Sequence, residues 1–133
     1  MKDQVIIVTG GSSGMGRAMA HRFAKDGAHV VITGRDKERL EEAKKEIEEQ
    51  STGTVFTIAM DVRKPGDVQR MVEETVEKYG TIDHLVNNAA GNFVVETKDL
   101  SVNGWNAVID IVLNGTFYCS HAVGNYWIDE KKQ

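Results

Sequence analysis

The amino-acid sequence predicts an α/β fold, a parallel sheet with helices on both of its faces. Two observations carry that expectation. Short aliphatic runs rich in β-branched residues recur four times along the 133 residues, and runs without polar alternation suit strands buried on both faces. Between them lie segments whose apolar residues fall three and four apart, joined to the runs by short connections. Strand–helix alternation of that kind builds βαβ units.

The elements follow in order. Residues 4–9, QVIIVT, form the first strand. Residues 14–26 carry Met15, Ala18, Met19 and Phe23 at helical spacing, and Gly27 is placed to cap that helix at its C-terminus. Residues 29–33 are the second strand. Asp36 then N-caps a charged amphipathic helix over 37–50, with Leu40, Ala43 and Ile47 as its inward stripe. A turn at Thr52-Gly53 leads into a strand over 55–60. The third helix, 64–79, has the single proline, Pro65, near its start, turns Met71, Val72 and Val76 inward, and ends at Gly80. Residues 84–87 are a fourth strand and 88–100 a polar loop. Ser101 caps a long helical stretch to about residue 130, with a bend expected near Asn114-Gly115. Right-handed crossovers then give the strand order 3-2-1-4. The fourth strand is left at an edge, and a parallel edge strand with an apolar face calls for a neighbour, so the sheet reads as incomplete. With no linker, repeat or low-complexity segment, residues 1–133 read as a single domain.

Composition narrows the function. The chain is 41% hydrophobic and 27% charged, in the range of soluble globular proteins. A net charge of −4 argues against a nucleic-acid partner, which needs a basic face. No apolar run approaches the roughly 20 residues of a membrane span, and the start MKDQVIIVTG has no signal-peptide cleavage pattern. Cys119 is the single cysteine, which leaves no disulfide framework and no thiolate zinc site. His21, His29, His84 and His121 are scattered without metal-ligand spacing. A cytoplasmic enzyme without a metal is the expectation.

The chemistry starts at the first turn. Val5–Gly16 reads VIIVTGGSSGMG, a buried strand running into a glycine-rich turn and then a helix. Gly10 permits the tight turn, Gly14 lets the backbone approach a pyrophosphate, and Gly16 lets the helix pack closely on the strand. The helix N-terminus offers unpaired N–H groups to phosphates, and Ser12 and Ser13 add hydroxyl donors. This is the start of a Rossmann-type dinucleotide-binding fold. At the end of the second strand, Thr33-Gly34-Arg35-Asp36 bears on the choice of cofactor. A guanidinium at Arg35 suits the 2′-phosphate of NADP, and Gly34 leaves room for it. In the alternative, Arg35 is a solvated surface residue and Asp36 holds the ribose of NAD. Asp61-Val62, ending the third strand, either borders the adenine or supplies a helix cap. Asn87-Asn88-Ala89-Ala90-Gly91 ends the fourth strand with small residues where a cofactor lies against the sheet, one asparagine being structural. Met15 and Met19 fit core packing. Trp105, Phe117, Tyr118, Tyr126 and Trp127 form more aromatic surface than one helix face hides, and they face either this domain's own sheet or another subunit.

Taken together, TGGSSGMG, Arg35, Asp61-Val62, NNAAG and the Asn114 helix resemble the short-chain dehydrogenase/reductase family along the whole chain. NNAAGNF (87–93), Trp105 and DIVLNGTF (110–117) are most similar to its 2,4-dienoyl-CoA reductases. The resemblance implies NADPH as cofactor, an acyl-CoA as small-molecule substrate in the degradation of unsaturated fatty acids, and a homo-oligomer in the full-length form. It assigns Gly10, Ser12, Ser13, Gly14, Met15 and Gly16 to the pyrophosphate and nearby ribose, and Arg35 to the 2′-phosphate. Asp61 and Val62 flank adenine, and Asn88, Ala89 and Ala90 line the ribose and nicotinamide side. Asn114 matches the catalytic asparagine, in an oxyanion-hole role, and Phe93 lies near the acyl substrate. The family continues into a fifth strand and a Tyr-x-x-x-Lys helix or a variant tyrosine–lysine pair. Here Tyr79, Tyr118 and Tyr126 are followed four residues on by Asp83, Ala122 and Glu130, so the chain reads as the amino-terminal half, stopping before the proton donor. A non-catalytic module that binds NADP or dimerises is the competing expectation.

Overall fold

The computed structural model of the chain describes residues 1–130. Strand β1 (Val5–Thr9) is buried at every position because strands flank both its edges and helices cover both its faces. It pairs in parallel with β2 (His29–Gly34) and with β4 (His84–Val86), and β2 pairs in parallel with β3 (Thr54–Ala59). The sheet order is β3-β2-β1-β4, as the sequence predicts, and β4 lies at an edge of the described sheet.

Strand pleating divides the side chains between two cores. Ile6, Val8, Val30 and Ile32 point to one face, where α1 (Gly14–Lys25) and α2 (Lys37–Glu49) cover them with Ala20, Ala24, Leu40, Ala43 and Ile47. Ile7, Val31 and Ile58 point to the other, against Val68, Met71 and Val72 of α3 (Pro65–Tyr79) and Cys119 and Val123 of the last helix. Each fully buried aliphatic side chain contributes about 1.5–3 kcal/mol of transfer free energy, so two helical layers on one sheet account for the core.

Local signals fall where the sequence put them at most helix ends. Asp36 accepts from the Arg39 N–H and caps α2. Ser101 accepts from the Gly104 N–H and caps α4 (Val102–Ile109). Gly80 closes α3 in the left-handed region at φ 79°. The inward face of α1 differs from expectation. Gly16, Ala20 and Ala24 are its buried residues, while Met15 is 78% exposed and Ala18 also faces solvent. Small residues fit where this helix lies close against β1 and β2, and Phe23 packs partly buried against the same core, so the core reading of Met15 is corrected.

The expected long C-terminal helix is one helical run with a widened turn inside it. Between α4 and α5 (Gly115–Asp129) the residues Asp110–Asn114 form a π-helical turn, with the Gly115 N–H donating to the Asp110 carbonyl. The irregularity therefore precedes Gly115 and takes the form of an extra residue in the turn. Gly115 sits so near the β3–α3 connection that a Cβ there would lie 2.7 Å from Val62 Cγ2. Of the aromatic side chains, Tyr118, Tyr126 and Trp127 pack against the core, and Trp127 Nε1 donates to the Ile82 carbonyl at 2.7 Å. Trp105 and Phe117 stay 57% and 60% exposed. No helix among the described residues is long and apolar enough to cross a membrane.

Candidate functional site

Chain order reverses between β1 and β4, and in open α/β sheets ligands bind beyond the C-terminal strand ends at such a point. A cleft of about 440 Å³ opens there. Its walls include Gly10, Ser12, Ser13 and Met15 after β1, Arg35 and Asp36 after β2, Asp61 and Val62 after β3, and Asn88, Ala89 and Ala90 after β4. Residues scattered over 80 positions are thus gathered by the parallel register of four strands.

The glycine turn is held from below. Asn88 Nδ2 donates to the carbonyls of Thr9 at 3.0 Å and Gly10 at 3.1 Å, so Asn88 is the structural asparagine expected in that motif. A Cβ on Gly16 would overlap the Gly10 carbonyl oxygen and Asn88 Nδ2, which fixes glycine at that position. Thr9 completes the joint: its Oγ1 accepts from the N–H groups of Asn88 and Ala89, both at 3.0 Å. Sequence reasoning missed Thr9, although a buried threonine ending a strand is the signal. Gly14 belongs to the same turn, with open space around it.

Helix α1 starts without a side-chain cap at Ser13 and without an acidic residue in its first turn. By contrast, α2 has Asp36 and Glu38 at its start, and α3 has Asp67. The first N–H groups of α1 have no intrahelical partner, so this helix end suits a bound anion, and the residues present fit the pyrophosphate of a dinucleotide.

At the far end of the cleft, carboxylates and guanidinia are unequally paired. Asp61 accepts from the Arg63 N–H, Nε and Nη2 at 2.6–3.0 Å. Those hydrogen bonds hold its carboxyl below the ordinary aspartate value, against the opposing effect of burial. The helix-cap alternative for Asp61 is corrected: Lys64 is the N-cap of α3, and the Asp61 N–H donates to Asp67 Oδ2 at 2.9 Å. Asp36 is engaged as the α2 cap. Arg35 has no ion pair or side-chain hydrogen bond among the described residues. Arg39, which sequence reasoning passed over, lines the same cleft.

Asn114 and Phe93 lie outside this lining. Asn114 Nδ2 donates to Asp110 Oδ1 at 2.8 Å across the π-turn, and Ile111 of that turn borders the cleft. Phe93 is 49% exposed and packs by Gly104 of α4. No tyrosine, lysine, histidine or cysteine is among the described residues lining the cleft. Tyr79 bonds Thr54 Oγ1 at the opposite end of the sheet, where burial pushes its hydroxyl pKa up. Burial likewise pushes the Cys119 thiol up to about 11, which leaves it inert.

A 3-2-1-4 parallel sheet whose glycine turn opens on the crossover point is a Rossmann-type arrangement. A model of the short chain dehydrogenase family matches residues 4–133, and the chain belongs to that family. Among its relatives, a protein of Bacillus subtilis (strain 168) named "Probable 2,4-dienoyl-CoA reductase [(2E)-enoyl-CoA-producing]" is 52% identical over 133 residues, all of this chain and 52% of that protein. The crystal structure of a short chain dehydrogenase from Bacillus anthracis superposes with a TM-score of 0.91 at 65% identity, covering 96% of this chain and 52% of that one. L-sorbose reductase from Gluconobacter frateurii, complexed with NADPH and L-sorbose, superposes with a TM-score of 0.87 at 30% identity, covering 94% and 48%. The chain spans about half the length of the relatives it matches.

Proposed function

We propose that the cleft holds NADPH and that the full-length protein, a cytoplasmic homo-oligomer, reduces a 2,4-dienoyl-CoA thioester in the degradation of unsaturated fatty acids. The observation that carries the cofactor is Arg35, a cleft guanidinium that feels the charge of Asp61 but makes no ion pair or side-chain hydrogen bond among the described residues, while Asp36 and Asp61 are hydrogen-bonded by their own neighbours. A free guanidinium binds a 2′-phosphate in two parallel hydrogen bonds. The B. subtilis relative supports the substrate class.

In this reading the turn from Gly10 to Gly16, with Ser12, Ser13 and Met15, holds the pyrophosphate. Asp61 and Val62 flank the adenine, and Asn88, Ala89 and Ala90 form the floor on the nicotinamide side. NADPH, when bound, supplies the hydride. Asn114 keeps one amide N–H on Asp110 and has a second to donate to the thioester carbonyl oxygen, stabilising the enolate charge that develops there. Phe93 borders the acyl chain. An amide is no general acid at neutral pH, and the cleft offers no tyrosine or lysine among its described lining. The proton donor is therefore assigned to a tyrosine–lysine pair in the part of the full-length protein beyond this chain. The exposed Trp105 and Phe117 also favour a second reading, a non-catalytic module that binds NADP or dimerises.

The test of the cofactor is calorimetric titration of the chain with NADPH and NADH. Tighter binding of NADPH is expected, and Arg35→Ala should cost on the order of 1.5–3 kcal/mol toward NADPH and little toward NADH. Equal losses for both nucleotides would overturn the 2′-phosphate role.

A further inference from the structure

We infer that Gly104 fixes how long an acyl chain the full-length protein accepts, because it gives the Phe93 ring a seat on α4. The inference rests on the reading that Phe93 borders the acyl chain, and it adds a positioning residue that acts through that ring. Gly104 stands inside α4, where glycine is the least favourable residue after proline. Its backbone is helical, so no unusual conformation calls for a glycine. Space calls for it instead. A Cβ at Gly104 would lie 2.5 Å from Phe93 Cζ, with Leu100 Cδ1 and Ser101 Oγ at 3.2 Å.

The loop after β4 also meets the helical run nearer the cleft. A Cβ at Gly91 would lie 2.8 Å from Ile111 Cδ1, and Ile111 borders the cleft together with Ala89 and Ala90. The loop is thus laid against the helices from the cleft out to Phe93. α4 covers one side of the Phe93 ring, and the other side is open, leaving the residue 49% exposed. Its chain neighbour Val94 and the neighbour of its seat, Trp105, are exposed as well, so the ring belongs to an apolar surface suited to an alkyl chain. Non-bonded carbons settle about 3.5–4.0 Å apart, so a methyl at position 104 drives Cζ off α4 by about 1 Å. Cζ is the far end of its side chain, and the ring gives way while the backbone stays. It gives way toward its open side and narrows the room left there. An acyl group that ends before the ring is unaffected, and a longer one is not.

The experiment measures NADPH-dependent reduction of 2,4-hexadienoyl-CoA and 2,4-decadienoyl-CoA by the full-length protein and by its Gly104→Ala, Phe93→Leu and doubly substituted variants. Gly104→Ala is expected to raise KM for the longer substrate about tenfold, the scale of one methylene in an apolar pocket, and to leave kcat and the shorter substrate's KM within about twofold. Its thermal midpoint should not fall, because alanine favours the helix. Phe93→Leu alone should shift the ratio of the two KM values the opposite way. Added to Gly104→Ala it should restore most of the loss, since the shorter side chain does not reach the new methyl. If Gly104→Ala moves both substrates alike or neither, or if Phe93→Leu leaves the ratio where it was, the inference falls and the reading of the acyl-CoA substrate stands. If the unsubstituted protein reduces neither dienoyl-CoA, that reading falls and the inference falls with it.

Discussion

Gly16 carries more of the site than its missing side chain suggests, because the Gly10 carbonyl and the Asn88 amide occupy the place of a Cβ. A methyl there has to push apart β1, α1 and the start of the loop after β4. Gly16→Ala should therefore destabilise the fold by about 1–3 kcal/mol, the usual cost of overpacking, and abolish NADPH binding even in the fraction that folds. Urea unfolding and nucleotide titration of the same sample check both parts. Asp61 gives a residue-scale pH effect. Its folded pKa lies below the ordinary value of 3.8, chiefly through the Arg63 hydrogen bonds. A carboxyl with a lowered folded pKa contributes stability that is present above its unfolded pKa and lost as pH falls through the folded one. The urea midpoints of the chain and of Asp61→Asn should differ near neutrality and converge below pH 3.8; a difference that persists in acid would show that the pair's charge is not its source. The glycine turn and the place of Arg35 in the cleft are legible from sequence because each follows directly on a strand. Thr9 is not, because its importance comes from the loop after β4 that the strand order sets beside it.

Among the elements, the strands and the capped helices follow from local rules, and the helix between Asp36 and Gln50 buries the three residues its periodicity marks. The misreadings occur where tertiary contact overrides periodicity. In α1 Met15 and Ala18 look like part of the inward stripe, yet the fully buried residues are Gly16, Ala20 and Ala24, with Phe23 partly buried against the same core. In the last helical run the π-turn at Asp110–Asn114 has no signature in spacing alone. It ends at Gly115, where a Cβ would lie 2.7 Å from Val62 Cγ2. Gly115→Ala should cost about 1–3 kcal/mol through the clash with Val62. Val62→Ala removes the opposing methyl groups, so the double variant should be more stable than the sum of the single losses, by about 0.5–3 kcal/mol for residues in contact. Strict additivity in a double-mutant cycle would sever the link between the π-turn and the β3–α3 connection.

At the scale of the whole molecule, four parallel strand ends meet in one cleft at the crossover between β1 and β4. Strands β1 to β4 and the helices on both faces are what the cleft requires, and Trp105, Leu113 and Phe117, exposed on one helical run, leave an apolar surface of the kind that drives association. The chain should therefore sediment with a concentration-dependent mass. Catalysis by residues 1–133 alone should be absent even with NADPH present. Reduction of a conjugated thioester needs charge stabilisation at the carbonyl oxygen and a proton delivered to carbon. In the proposed reading Asn114 serves the first, and an oxyanion donor is worth about 10²–10³-fold. Nothing in the described cleft lining serves the second, and positioned proton transfer is worth about 10²–10⁴-fold. The comparison is between this chain and the same chain joined to the remaining half of the B. subtilis relative, followed by loss of NADPH absorbance with a dienoyl-CoA substrate. Turnover in the joined protein alone is the expected result. Turnover by the short chain within about tenfold of the joined one would mean that residues 1–133 contain a proton donor of their own, and Tyr118, one turn beyond Asn114 on the same helical run, would be the first to replace with phenylalanine.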